Sequence, residues 1–185
     1  MTTDREPPFD AAAARRLMRA ADRGALATRL QAEPQGWPYA SLVLLAFDHD
    51  GAPLLLISDL SEHARNLAAD ARLALLIDGT AGYEDPLAGP RLTLVGTAGR
   101  HDDEPPRRRF LARHPAAARY AGFRDFHLYR VTVERGHFVA GFGRIRWIEG
   151  QDLRLPVDPA AFVAADAMID DLNAVHAAAI DAAAR

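Results

Sequence analysis

The chain has 185 residues, 49% apolar and 25% charged, and its 22 basic and 25 acidic groups leave a formal net charge of -3. That composition supports one folded domain and excludes a disordered tail, while the charge supplies no overall field for nucleic acid or an anionic membrane. Cys is absent and every basic residue is Arg, which excludes disulfides, thiolate chemistry, Cys-held metals, a P-loop and any lysine Schiff base. No apolar stretch reaches the roughly 20 residues of a membrane-spanning helix, and the start, Thr3-Asp4-Arg5-Glu6, lacks the form of a secretory leader. A soluble cytoplasmic protein with no membrane or nucleic-acid partner is expected.

Asp10 caps a predicted helix running to Asp22, with Leu17 and Met18 on its apolar stripe and Gly24 as its stop. Ala25 to Leu30 reads as a strand. After a Pro/Gly loop, Tyr39 to Phe47 is almost wholly apolar, the pattern of a strand buried on both faces. Asp48-His49-Asp50-Gly51 is a hairpin signal, so Ala52 to Ser58 is the antiparallel partner. Ser61 to Asp70 has helical spacing with Leu67 inward, and Arg72 to Asp78 returns to strand. Arg91 to Gly99 alternates, with Leu92, Leu94 and Gly96 on one face and Thr93, Val95 and Thr97 on the other.

Pro105 and Pro106 suit the first turn of a helix continuing to Tyr120 with a break at Pro115. Phe126 to Glu134 and His137 to Trp147 are expected to form the last hairpin, across Arg135-Gly136. Asp158 opens a final Ala-rich helix. The pattern is α+β: an antiparallel split β-barrel of six or seven strands with flanking helices. Residues 1–155 form the barrel domain and 156–185 a C-terminal helix.

Ile57 to Leu67 is the segment richest in chemistry. A strand ends, a turn follows and a helix begins, so free backbone N–H groups and a positive dipole end lie beside Ser58, Ser61, His63, Arg65 and Asn66. His63 and Asn66 are three apart and share a helix face, and Arg72 starts the next strand. A phosphate monoester needs donors of this kind; the plainer alternative is that Ser61 only caps the helix while His63, Arg65 and Asn66 are a solvated face. The run Arg107, Arg108, Arg109, Arg113, Arg119 and Arg124 makes no coherent helical stripe for nucleic acid, and His101-Asp102-Asp103-Glu104 are adjacent side chains that do not converge on a metal ion.

Apolar strand, hairpin, strand ending in Ser58, the Ser61-x-His63-x-x-Asn66-Leu67 helix and the Asp70-x-Arg72-x-x-Leu75-Leu76 strand together resemble the FMN-binding split barrels related to pyridoxamine 5'-phosphate oxidase. Phe138 to Ile145, with Gly141-Phe142-Gly143, is similar to the signature of their haem-utilisation (HugZ-like) branch. The resemblance spans about Ala11 to Glu149 and implies a homodimer with FMN at the subunit interface, acting on a small molecule as an oxidoreductase. It implies that Ala40, Ser41 and Leu42 flank the flavin ring, that Ser58, Ser61, His63 and Asn66 surround its phosphate, and that Arg72 counters the charge, with Arg91 near the flavin.

Other features depart from vitamin B6 oxidases. Their Arg/Lys pair on the FMN phosphate cannot be reproduced without Lys, and Arg146 and Trp147 are adjacent and so point to opposite faces of a strand. Asp171-Leu172-Asn173-Ala174-Val175-His176 resembles a degraded copy of the His-Met-Asn-x-Asp-His opening of the haem-utilisation C-terminal domain, making residues 156–185 a remnant of it. Haem binding or degradation, with His176 as the one weak ligand candidate, is the alternative to FMN. A dimeric binding module without catalysis is the third reading.

Overall fold

In the computed structural model of the chain, residues 9–32, 35–141 and 143–158 are described, with Met168, Asp171, Val175 and His176. The chain divides into Met1–Arg154 and Leu155–Arg185. In the second unit the described residues beyond Asp158 are four exposed helical positions, so the rest of the expected C-terminal helix and most of its degraded motif lie outside the described residues.

The first unit begins with α1 (Phe9–Ala20), whose Ala11, Ala14 and Met18 recur at helical spacing and are buried. Strands β1 (Arg23–Arg29), β2 (Pro38–Leu44), β3 (Ala46–Phe47) and β4 (Pro53–Ser58) follow, then α2 (Glu62–Ala69), β5 (Arg72–Asp78) and β6 (Arg91–Arg100). Next come α3 (Glu104–Arg113), α4 (Ala118–Ala121), β7 (Phe126–Val139), β8 (Ile145–Glu149) and α5 (Gly150–Leu153). The strands make one antiparallel sheet ordered β2-β1-β5-β6-β7-β4-β3, with β8 beside the second half of β7. It curls into a half-barrel, the α+β architecture the sequence suggests.

The hairpin flagged by its Asp and Gly pattern, and the helix start flagged by its prolines, both have a physical explanation. Between β3 and β4, Gly51 adopts φ +88°, the Asp48 and Asp50 carboxylates accept the amides of His49 and Ala52, and Arg130 bridges both carboxylates. Pro105 and Pro106 open α3, which stops before Pro115, and a short 3-10 turn leads into α4.

Two expectations are corrected. Arg135-Gly136 is no turn: β7 runs unbroken through it, and a Cβ at Gly136 would lie 2.9 Å from Leu153 and 3.0 Å from Leu92, so the glycine marks close packing. The turn comes at residues 140–144, where Gly141 and Gly143 take φ +113° and +76°. The misleading signal is a bulge. Val95 pairs Arg135 while Gly96 pairs Val133, which leaves Glu134 without a partner on β6. One unpaired residue inverts side-chain parity. Val131 and Val133 point into the core before it, and Gly136 and Phe138 after it.

The second correction concerns Tyr39 to Phe47, which is not buried on both faces. The inner row Ser41, Leu26, Leu75, Leu94, Gly136 and Ile148 runs in register across six strands into the core. One residue along, the outer row is Leu42, Ala25, Leu76, Thr93, His137 and Trp147. In this row Leu42 is 75% exposed, Leu76 40% and Trp147 52%. Elsewhere the outer face is covered: α3 packs Phe110 on Leu54 and Leu128 of β4 and β7 in a second apolar cluster.

The bulge depends on glycine. A Cβ at Gly96 would collide with the Thr132 carbonyl oxygen, whereas one at Gly99 on the same strand meets open space. Gly96→Ala is expected to cost about 3 kcal/mol and lower the urea midpoint, with Gly99→Ala nearly neutral; equal midpoints for the two variants would refute this account of the bulge.

Candidate functional site

The turn between β4 and α2 has the predicted form. Ser61 caps α2, its hydroxyl accepting the Ala64 amide at 3.3 Å, and Asp70 ends the helix. Ser58 and Ser61 are brought together, but each hydroxyl has one proton and both are already used. Ser58 Oγ donates to Asp125 Oδ2 at 2.6 Å, and Ser61 Oγ donates to the Ser58 carbonyl at 2.7 Å.

Asn66 faces elsewhere. It is fully buried, its Nδ2 donating to Thr28 Oγ1 at 3.0 Å and its Oδ1 accepting the Gln31 amide at 3.1 Å. These bonds tie α2 to β1, a structural role the sequence spacing does not reveal. Arg72 forms a two-pronged pair with Asp70, Nε to Oδ1 at 2.9 Å and an Nη to Oδ2 at 2.6 Å, and is largely exposed. Hydrogen bonds from Arg72 hold the Asp70 carboxyl down to about 2.

Of the four polar side chains expected around a phosphate, only His63 is uncommitted. It is half-buried, and burial holds its imidazole below the usual 6.5. At the β4–α2 turn Asp59, Glu62 and Asp125 are engaged by Arg100, Arg65 and Ser58, while Asp70 and Arg72 pair with each other at the far end of α2. A turn whose hydroxyl protons and guanidinium groups are already engaged makes a poor seat for a dianion. The corner therefore does not fit a flavin phosphate.

The expected ring-side residues are also divided. Ala40 and Leu42 lie on the exposed outer face, whereas Ser41 points inward, its Oγ buried with no hydrogen-bond partner. Arg91 donates to the Leu87 and Gly89 carbonyls at 3.1 and 3.3 Å and anchors the loop before β6.

Next to the corner lies a network that sequence spacing does not show. His127 is held between Asp59, at 3.3 Å, and Asp102, at 2.9 Å, with Arg100 on Asp59 at 2.5 Å. Burial raises the Asp102 carboxyl, but its bonds to His127 and the Leu128 amide outweigh that and lower it. Among the described residues no three His, Asp or Glu side chains form a metal set. The basic run is spent on the protein's own carbonyls: Arg107 reaches Ala121, Arg109 reaches Phe47 and Arg113 reaches Ala20. None of the helices in the described residues is long and apolar enough to cross a membrane.

A family model described as "CREG, beta-barrel" matches residues 7–154. The non-canonical heme oxygenase HOZ of Arabidopsis thaliana chloroplasts is 34% identical over 110 residues, 58% of this chain and 33% of that protein. A heme binding protein from Mycobacterium smegmatis superposes with TM-score 0.73 at 34% identity, over 80% of this chain and 61% of that one. A general stress protein 26 relative of the pyridoxinephosphate oxidase family, from Clostridium acetobutylicum, shares the fold at TM-score 0.60 and 16% identity, covering 80% and 99%. The chain thus spans about a third of the plant protein and under two thirds of the mycobacterial one.

His63 gives this corner a pH signature. An unfolded chain takes up its proton near 6.5, the folded one only at lower pH, so stability present above that value is lost as pH falls through the folded pKa. His63→Gln is expected to flatten the urea midpoint against pH between about 7 and 5; an unchanged slope would contradict the buried imidazole.

Proposed function

Because this chain belongs to the CREG β-barrel family, we propose that it is a haem-binding protein acting as a homodimer. The outer sheet face carries this reading. Leu42, Leu76, Ile145 and Trp147 stand 40–75% exposed on one side of the sheet, flanked by Ala25, Ala27, Ala74 and Val95 of the same face. An apolar face of that extent marks a surface that is covered in use. Its outermost strand, β2, also offers unpaired backbone groups along its free edge.

A second copy meets the need at the β2 end, since an apolar patch can match itself about a twofold axis. Haem fits the remainder because a tetrapyrrole is itself flat and apolar. The relatives at 34% identity whose names carry haem support the choice of ligand. The saturated corner at α2 argues against FMN, and with it against a flavin oxidoreductase, since its hydroxyl protons, amide and guanidinium groups are already engaged. Binding requires no turnover, so a dimeric binding module remains within this reading.

Two measurements test it. Titration of the full chain with haemin is expected to give a saturable Soret band, while FMN added under the same conditions is lost on desalting; retained FMN without haemin uptake would reverse the assignment. In sedimentation, the wild type is expected as a dimer and the double variant Leu42→Asp, Leu44→Asp, both on the outer face of β2, as a monomer of unchanged far-UV spectrum. A monomeric wild type would remove the homodimer.

A further inference from the structure

We infer that His137 supplies the axial nitrogen to the iron of a haem lying against the outer face of β6, β7 and β8. This deepens the haem-binding reading and rests on it. His137 sits in the outer row between Thr93 and Trp147. Its ring stacks on Trp147 with centroids 4.8 Å apart and a 42° tilt. Neither ring nitrogen has a hydrogen-bond partner among the described residues. A half-buried imidazole without a polar partner on an apolar face keeps a lone pair available for iron, and imidazole is a haem ligand of choice.

The bulge puts it there. Without the unpaired Glu134, residue 137 would share the inward parity of Val131 and Val133 and lie in the core. The surroundings suit the rest of a haem. Leu76 to Trp147 covers three strand spacings, about 14 Å, along a row whose only ionisable side chain is His137 itself. Arg135, two residues away on the same face, lies 4.4 Å over the Trp147 ring and has no carboxylate partner among the described residues. Its guanidinium can meet a propionate.

The other imidazoles are less suited. His127 has both nitrogens on aspartates, His101 pairs with Asp103, His49 with Arg109, and His114 bonds the Leu45 carbonyl while packing on Phe110. His63 stands in the first turn of α2, in the turn that also holds the Ser58–Asp125 and Arg65–Glu62 pairs, and not on an apolar face. His176 belongs to the second unit and is exposed.

The test titrates the full chain and its His137→Ala, His63→Ala and His176→Ala variants with haemin and with metal-free protoporphyrin IX. His137→Ala is expected to shift the Soret band, lose the imidazole signature in electron paramagnetic resonance and weaken haemin at least about tenfold. Added imidazole should restore the signature, and protoporphyrin affinity should change little. A variant spectrum identical to wild type, loss of the signature in His63→Ala or His176→Ala instead, or a loss that imidazole does not rescue overturns the ligand assignment and leaves haem binding standing. A wild type that takes up no haemin overturns both.

Discussion

The alternation of side chains along β7, reversed once at Glu134, is the constraint on which the rest of the molecule depends. Among the described residues β7 alone has three neighbouring strands, β6 along one edge and β4 and then β8 along the other. Its first half must send Tyr129, Val131 and Val133 into the barrel and Leu128 out beneath α3. Its second half must send Gly136 and Phe138 inward. A regular strand cannot satisfy both halves of this sequence, because positions 133 and 136 differ by an odd number. The unpaired residue resolves the conflict. It requires room, which Gly96 and Gly150 provide where any side chain would meet the Thr132 or Val133 carbonyl.

Charge in this protein is arranged around the same frame. With no lysine, each cation is a planar fork suited to carbonyls and carboxylates, and the described arginines are largely used that way. Arg130 ties the β3–β4 hairpin, Arg100 and Arg65 brace the β4–α2 turn, and Arg107, Arg109 and Arg113 bind carbonyls on neighbouring elements. A sequence rich in arginine and hydroxyls therefore looks like an anion site while the folded corner is internally neutralised. The same residues that make the turn rigid leave it few donors to offer.

Much of the fold is legible from local chemistry. Helix α2 runs between its Ser61 and Asp70 caps, β5 covers Arg72 to Asp78, and the Leu92 and Leu94 alternation in β6 follows its pattern, because each is set by neighbours in sequence. The bulge is not legible, since a glycine at 136 that avoids Leu92 and Leu153 reads the same as a glycine that turns a hairpin. The faces of β2 are likewise ambiguous. Leu42 and Val43 are equally apolar, and only the curl of the whole sheet decides that Val43 is buried and Leu42 is not. Site residues fare in the same manner: the spacing of His63 and Asn66 is helical, but the contact of Asn66 with Thr28 spans 38 residues.

The resemblance to flavin-binding barrels and the chemistry of this chain separate at one point. The fold preserves a strand, turn and helix whose backbone could cradle an anion, yet every hydroxyl proton in the turn has an internal acceptor and the nearby arginines have internal anions. On the opposite side of the sheet the imbalance has the other sign: apolar area without cover, an imidazole without a polar partner and a guanidinium without a carboxylate. Groups left unsatisfied in a stable fold are where outside free energy can be gained, because saturated groups must break existing bonds before making new ones. A ligand therefore gains more at the outer face than at the corner. On the haem-binding proposal, that ordering is how one scaffold keeps the outline of a phosphate site and binds elsewhere.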